Sequence, residues 1–276
     1  MTRISSPQRY RVWLFLIFFL GASLPISAAL KTKVVDYKVG ETALQGYMAW
    51  DDSIEGPRPG VLVVHEWWGH NDYARKRAEK LAEAGFTAFA LDMYGTGKLA
   101  DHPEDAQAFM MELMGDIPEA QRRFEAAHSL LQDHATVDGD RTAAIGYCLG
   151  GAVVLYMGRL GGDLDAVISY HGSLGLATQV TETEEGAELA SMMVFTGGDD
   201  PMVPGEQVGA FVSAMMAANV NVNVTSYPGV LHSFTVPEAT EKGKKLDMPF
   251  AYDAAADADS WRRSLAFLHA ELGSTP

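Results

Sequence analysis

Short apolar runs alternate with amphipathic segments along most of the chain. Two strand-like runs, residues 34–39 and 42–50, are separated by a turn at Gly40 and predict an antiparallel edge. The later apolar runs are short and rich in β-branched residues, and segments whose apolar positions have helical spacing lie between them. This alternation predicts an α/β architecture, with a mostly parallel sheet of about eight strands covered by helices on both faces.

The same pattern gives the bounds of the remaining elements. The predicted strands are residues 61–64, 86–91, 143–146, 167–170, 192–196 and 220–227. The predicted helices are residues 72–85, 104–114, 119–133, 149–159, 206–218 and 257–272. Parallel sheets bind ligands at the carboxyl ends of their strands, so the residues that follow each strand are the candidates for chemistry.

The N-terminal residues have the features of a secretory signal peptide. Three arginines precede an apolar run at residues 12–24, and the small residues Ser27 and Ala29 follow it. The run is shorter than the ~20 residues that a transmembrane helix needs. We therefore expect residues 1–29 to be a signal peptide, residues 30–276 to form a single domain, and the protein to be periplasmic or secreted.

The charge balance limits the classes of partner. The chain has 21 Lys and Arg against 36 Asp and Glu, which gives a formal net charge of −15 at pH 7. A strongly acidic surface repels nucleic-acid phosphates and anionic lipid headgroups. We therefore expect no nucleic-acid partner and no membrane-surface partner, and a small molecule as the ligand.

The stretch "HEWWGH" after the third predicted strand raises the possibility of a zinc peptidase. Such a site needs two histidines one helical turn apart, with a glutamate next to the first. Here His70 follows His65 by five residues, which places the two rings well apart around a helix. Gly69 and the β-branched run before His65 also indicate a strand that ends in a loop. The spacing excludes this zinc motif, and Glu66 needs another explanation.

The only cysteine, Cys148, stands where a nucleophile is expected. It lies in "GYCLGG", residues 146–151, between a predicted strand and a predicted helix. The pattern Gly-x-nucleophile-x-Gly forms a sharp turn, and its glycines let the helix pass close to the strand. The N–H of Leu149 then points toward an oxyanion, and the helix N-terminus favours the thiolate. The alternative is a buried apolar cysteine without chemistry.

An acid and a histidine follow in the order that this type of hydrolase requires. Asp199 and Asp200 come directly after the predicted strand 192–196, and His232 comes after the next strand. Each alone is typical of a turn aspartate or a surface histidine. Together with Cys148, all at strand ends, they predict a catalytic triad.

These blocks together resemble the dienelactone hydrolase family, whose members are α/β-hydrolases with a cysteine nucleophile. The matching motifs are "HEWWG", "LDMYG", "GYCLGG", "GGDDPMVP" and "YPGVLHSF". The resemblance implies an α/β-hydrolase fold with Cys148 as nucleophile, His232 as general base and Asp200 as the residue that orients it. It also implies that Glu66 contacts the resting thiol and controls its ionisation. The N–H of Trp67 would be the second oxyanion donor, beside that of Leu149.

The sequence departs from the family pattern at two positions that bind a substrate carboxylate. Thr96 and Val236 stand where the family pattern has arginines. Neutral esters and lactones are therefore expected as substrates in preference to dienelactone, which carries a carboxylate. Further candidates for the pocket wall are Trp68, Tyr94 and His171, each near a strand end, although each residue type is also common in protein cores.

The leading functional hypothesis is an exported cysteine hydrolase of small esters or lactones that works through a thioester, with no metal and no organic cofactor. The alternative is a non-catalytic exported small-molecule-binding protein on a hydrolase fold. A thiol redox protein is disfavoured, because the chain has no second cysteine.

Overall fold

The computed structural model describes residues 30–181, 183 and 187–273. The predicted signal peptide, residues 1–29, lies outside the described residues. The strands are β1 (Leu30–Val39), β2 (Thr42–Asp51), β3 (Arg58–Val64), β4 (Thr87–Leu91), β5 (Val137–Tyr147), β6 (Ala166–Tyr170), β7 (Ser191–Gly197) and β8 (Val222–Tyr227). The helices are α1 (Asp72–Glu83), α2 (Pro103–Met114), α3 (Ile117–Gln132), α4 (Leu149–Leu160), α5 (Gly175–Thr178), α6 (Gly205–Ala217), α7 (Ala239–Leu246) and α8 (Ala254–Leu272).

The strands form one sheet in the order β1-β2-β4-β3-β5-β6-β7-β8. The first hairpin is antiparallel, β2 pairs antiparallel with β4, and every later pair is parallel. The predicted sheet, its antiparallel edge and its helical cover are confirmed. No helix within the described ranges is long and apolar enough to cross a membrane.

The central strands read as continuous apolar runs because both faces of the sheet are covered. In β3, Leu62 and Val64 pack into the core beneath α3 and α4. Val61 and Val63 point the other way, into a core shared with α1 and α8. Alternate residues of each parallel strand are therefore buried in different layers, and their carboxyl ends remain free to form a site.

Two helices are absent from the sequence prediction. The short α5 has one turn, and α7 has the sequence "ATEKGKKL", with a glycine and three lysines. Gly243 disfavours a helix by propensity, yet a Cβ there would meet the carbonyl of Phe250, so close packing requires a glycine. The strand β5 also begins earlier than predicted, because the polar residues Asp138 and Asp140 mask its first half.

Candidate active site

Four candidate residues come together because each follows the carboxyl end of a strand. Glu66 follows β3, Cys148 follows β5, Asp200 follows β7 and His232 follows β8. Three of these strands run parallel within the sheet, and the fourth, β8, is parallel to β7. The topology therefore brings residues that are far apart in sequence to one edge of the sheet.

Cys148 sits on a strained turn at the start of α4. Its φ is 52° and its ψ is −113°, outside the regions that non-glycine residues normally occupy. Its N–H donates to the carbonyl oxygen of Tyr170 at 3.0 Å, which ties the turn to β6. A Cβ at Gly146 would overlap the backbone of Gly150, and a Cβ at Gly150 would overlap the carbonyl of Val64. The glycines of the motif are therefore required by the contact between α4 and the sheet.

His232 and Asp200 form a buried hydrogen-bonded pair. The Nδ1 of His232 lies 2.7 Å from the Oδ2 of Asp200, and the other carboxylate oxygen accepts the N–H of Met202 at 2.8 Å. Both residues are 2–3% exposed. An ionised carboxylate only accepts, so Nδ1 donates its proton to Asp200 and Nε2 is the ring nitrogen left for the reaction. Nε2 is buried, and the side chain of Cys148 interacts with the same ring.

The charge of His232 depends on its two neighbours. Burial by itself lowers the pKa of His232, but the adjacent Cys148 and then the Asp200 carboxylate raise it to about 10. A negative sulfur next to the ring therefore stabilises the imidazolium, as in a thiolate–imidazolium pair.

A cavity of about 290 Å³ opens above Cys148 and His232. It is lined by Trp67, Met110, Met114, Cys148, Leu149, Ala152, Ser173, Leu176, Met202, Val203 and His232. Within the part of the chain that the structure describes, this lining contains no Lys, Arg, Asp or Glu. The candidate nucleophile therefore faces a largely apolar space, and Trp67, predicted as an oxyanion donor, is one of its lining residues.

Glu66 does not make the expected contact with the thiol. Its Oε1 accepts a hydrogen bond from the hydroxyl of Ser233 at 2.8 Å, and it lines a second cavity of about 460 Å³. Burial raises the pKa of Glu66, while Ser233, His232 and Lys242 favour its charged form. The side chain is thus held on the far side of the "HEWW" turn, because Ser233 offers it a buried donor there.

The other proposed wall residues do not line the cavity above Cys148. Trp68 belongs to the second cavity, where the ammonium of Lys242 lies 3.0 Å from its ring centroid. Tyr94 is buried and donates its hydroxyl to the carbonyl of Trp67 at 3.2 Å, so it supports that turn from below. His171 is fully buried beneath His232, with ring centroids 5.0 Å apart. Tyr94 and His171 are therefore packed in the core and are not part of the cavity wall above Cys148.

Thr96 and Val236, which stand where the family pattern has arginines, do not line the cavity above Cys148. Thr96 is on an exposed loop, where its N–H donates to the carbonyl of Ala43. Val236 lines the second cavity, beside Glu66. The loop residue Lys98 pairs with Glu112 at 2.8 Å and lines neither cavity.

The histidines of the excluded zinc motif have structural contacts. The segment from His65 to Gly69 is a turn between β3 and α1. The Nε2 of His65 accepts the N–H of Met93 at 3.1 Å, and its Nδ1 donates to the carbonyl of Glu66. Within the described part of the chain, no group of three or more His, Cys, Asp or Glu side chains is arranged to hold a metal.

Sequence reasoning missed several residues of the site. Met110 and Met114 were assigned only to a helix, although their spacing of four residues places them on one face. Met202 and Val203 directly follow Asp200, which was the available signal for their place in the wall. Ser233 and Lys242 carried no signal, because their roles depend on the direction of Glu66 and on the unpredicted α7.

Comparisons with known proteins identify the family of the chain. The model of the Dienelactone hydrolase family matches residues 44–272. A protein of Aquifex aeolicus named provisionally as a carboxymethylenebutenolidase is 27% identical over 247 residues, covering 87% of this chain and 99% of that protein. A dienelactone hydrolase-like promiscuous phosphotriesterase from metagenomic libraries is 35% identical, with a TM-score of 0.80, and covers 89% of this chain and 100% of that one.

A more distant structure supports the fold alone. A provisionally assigned dienelactone hydrolase from Klebsiella pneumoniae is 22% identical, with a TM-score of 0.70, and covers 87% of this chain and 98% of that chain. The sheet order, the strained turn at Cys148 and the family match over most of the chain lead to one conclusion: the protein belongs to the dienelactone hydrolase family and has the α/β-hydrolase fold of that family.

Proposed function

We propose that this protein is an exported hydrolase of small, neutral esters or lactones, with Cys148 as nucleophile, His232 as general acid and base, and Asp200 as the residue that orients His232. The observation that carries the proposal is the arrangement of these three residues. Cys148 lies on a strained turn at an apolar cavity, next to an imidazole whose far nitrogen is bonded to a buried carboxylate. This is the geometry that nucleophilic catalysis needs.

In the first step the sulfur of Cys148 attacks the substrate carbonyl carbon, and the electrons of the C=O bond move to oxygen. The backbone N–H of Leu149, the first residue of α4, has no partner inside the helix and is available to this oxyanion. The N–H of Trp67 is the second proposed donor. The intermediate then expels the alcohol oxygen, which takes the proton from Nε2 of His232, and a thioester remains.

In the second step water replaces the alcohol. The Nε2 of His232 removes a proton from the water as its oxygen attacks the thioester carbon. The C–S bond breaks, the acid leaves, and the thiolate and the imidazolium are restored. The bond from Nδ1 to Asp200 keeps Nε2 directed at the reacting atoms in both steps.

The wall of the cavity determines the proposed substrate class. With about 290 Å³ and a largely methionine, leucine and tryptophan lining, it fits a small apolar acyl group. Among the described residues of the lining, no Lys or Arg is present to bind a carboxylate, and the net charge of −15 repels anions at long range. Neutral esters and lactones are therefore the substrates that the site favours.

Neutral phosphotriesters are a second candidate class. The same lining accepts an uncharged phosphorus ester as readily as an uncharged carbon ester, since neither needs an ionic partner. The 35% identical relative is described as a promiscuous phosphotriesterase, which makes this class worth including in a substrate screen.

Glu66 is proposed to act on the thiol through His232. Its carboxyl group is held by Ser233, next in sequence to His232. A charged Glu66 favours the imidazolium, and the imidazolium in turn favours the thiolate of Cys148.

Removal of the nucleophile or the base should abolish hydrolysis. We expect Cys148→Ala and His232→Ala to lower kcat/KM for a neutral aryl ester by ~10⁴-fold or more. His128→Gln is the matched control, because His128 is also a buried histidine but bonds to Thr142 away from the cavity. With a slow ester, mass spectrometry should find the acyl group on Cys148. Unchanged turnover in Cys148→Ala contradicts the mechanism, and a wild type that binds but never cleaves supports the non-catalytic alternative.

Asp200→Asn should lower the pKa of His232. An ionic hydrogen bond contributes ~1.5–3 kcal/mol, so the pKa should fall by roughly 1–2. The pKa of His232 is about 10 in the folded state, above the unfolded value of ~6.5. Protonation of His232 therefore stabilises the fold fully below pH ~6.5, and this stabilisation is lost as the pH rises through about 10.

The stability difference between the wild type and Asp200→Asn should therefore be largest near pH ~6 and shrink toward pH ~10. Urea unfolding at several pH values and imidazole NMR measure the two quantities. Asp199→Asn is the control, because that neighbouring carboxylate is exposed and accepts the N–H of Gly229 at the surface. If the difference in free energy of unfolding between the wild type and Asp200→Asn increases with pH, His232 is not protonated in the folded protein.

A cation placed in the wall should change the charge preference. The wild type should cleave a neutral lactone with a kcat/KM about tenfold or more above that of a matched carboxylate-bearing lactone. Met202→Arg should reverse part of this preference, since one charge-assisted hydrogen bond contributes ~1.5–3 kcal/mol, and added salt should weaken the effect. Met216→Arg places the same charge on the exposed surface and should leave the preference unchanged. A wild type that prefers the carboxylate form refutes the assignment.

Export is proposed from the N-terminal sequence alone. Cleavage after Ala29 follows the small-residue rule for signal peptidases, so mature protein should begin at Leu30. N-terminal sequencing of protein recovered outside the cytoplasm checks this, and Ala29→Pro, which blocks such cleavage, is a suitable control. Recovery of wild-type protein that still begins at Met1 contradicts cleavage.

A further inference from the structure

A chain of buried polar side chains connects α1 to the histidine that lies beneath His232. The Nε of Arg77 donates to the hydroxyl oxygen of Tyr73 at 3.0 Å. The hydroxyl of Tyr73 donates to the Oγ1 of Thr235 at 2.7 Å, and this Oγ1 lies 2.9 Å from the Nε2 of His171. The chain therefore ends at His171, whose ring contacts that of His232.

The chemistry of these groups fixes the direction of the hydrogen bond at the start of the chain. The guanidinium of Arg77 always carries its protons and can only donate, and Asp257 holds it in place at 2.6 Å. The Tyr73 oxygen therefore accepts from Arg77 and sends its own proton to Thr235. The Thr235 hydroxyl can both donate and accept, so it holds the Nε2 of His171 by a hydrogen bond of 2.9 Å while the ring is neutral.

The ring of His171 must be held in place because it lies against the ring of His232. Its ring meets that of His232 edge-on at 5.0 Å, and its φ of 43° holds it there. Burial, then the charges of His232 and Arg77, lower the pKa of His171 well below its ordinary value. The remaining groups that face the ring are Tyr147 from β5, at 6.1 Å, and the apolar ring of Phe234, and neither offers it a negative charge.

We propose that Arg77, Tyr73 and Thr235 are positioning residues that hold the neutral ring of His171 in place beneath His232, so that the proton beside Cys148 is kept on His232. This inference rests on the proposed roles of Cys148 and His232. The inference gives Arg77, the buried cation of α1, a role in the site. Arg77 itself does not line the cavity above Cys148.

The test compares two variants that each remove one hydroxyl. Thr235→Val and Tyr73→Phe should raise the midpoint pH at which Cys148 becomes alkylated by iodoacetamide, because a second ring that accepts a proton weakens the imidazolium beside the thiol. The alkylation rate at neutral pH should fall roughly twofold to tenfold, the range for the loss of one hydrogen bond. The double variant should be no slower than the slower single variant, since both break one chain.

Tyr170→Phe is the matched control. It removes a buried tyrosine hydroxyl, bonded to Ser264, from the residue next to His171, and it leaves the chain intact. Tyr170→Phe should lower the thermal stability about as much as Thr235→Val and Tyr73→Phe do. It should leave the midpoint pH of Cys148 alkylation unchanged. Thr235→Ser retains a hydroxyl and should restore the wild-type midpoint, which separates the effect from a failure of Thr235→Val to fold.

Three outcomes decide the inference. A raised midpoint in Thr235→Val and Tyr73→Phe but not in Tyr170→Phe supports it. Equal loss of stability in all three variants with unchanged midpoints overturns it and leaves a purely structural network. If the midpoint shifts as expected but the wild type cleaves no ester, the positioning chain holds and the proposed hydrolase activity fails, because alkylation does not require turnover.

Discussion

The close approach of α4 to the sheet is the constraint on which the site depends. The helix begins directly after β5. The space between its first turn and β5 is too small for a side chain at Gly146, and the space between the same turn and the end of β3 is too small for one at Gly150. This contact forces Cys148 into its unusual backbone conformation and lifts its sulfur above the sheet edge. The same contact aims the N-terminus of α4 at the cavity. A residue that is strained in this way is retained where the surrounding structure over-determines it, which is typical of functional sites.

The sequence predicts which residues come together in this site but not the direction of each side chain. The grouping of Cys148, Asp200 and His232 is predictable, because each follows an apolar strand and the strands share one edge. The direction of Glu66 is not, because it depends on Ser233. His171 was assigned to the wall or to the core on equal terms, and only the packing of Thr235 and Phe234 around its ring decides between them. Local patterns give strand ends, whereas side-chain directions depend on tertiary neighbours.

The two tryptophans of "HEWW" show the same dependence at a finer scale. Adjacent in sequence, Trp67 and Trp68 lie with ring centroids 4.9 Å apart but line different cavities. Phe250 packs edge-on against both, and α7 brings Lys242 over the second ring. The turn is therefore a partition between an apolar space at the thiol and a charged space at Glu66. A change in α7 would alter the second space without contact to the nucleophile.

The outer strand of the first hairpin has a consequence for the behaviour of the protein at high concentration. Among the described residues, β1 pairs with β2 on one side only, and no other described strand pairs with the backbone N–H and C=O groups of its outer side. Such an edge is a template for another molecule to continue the sheet. Lys31, Lys33 and Lys38 lie along it and are exposed. Two copies could join there only by desolvating these ammonium groups and bringing them together, and this opposes aggregation through the hairpin.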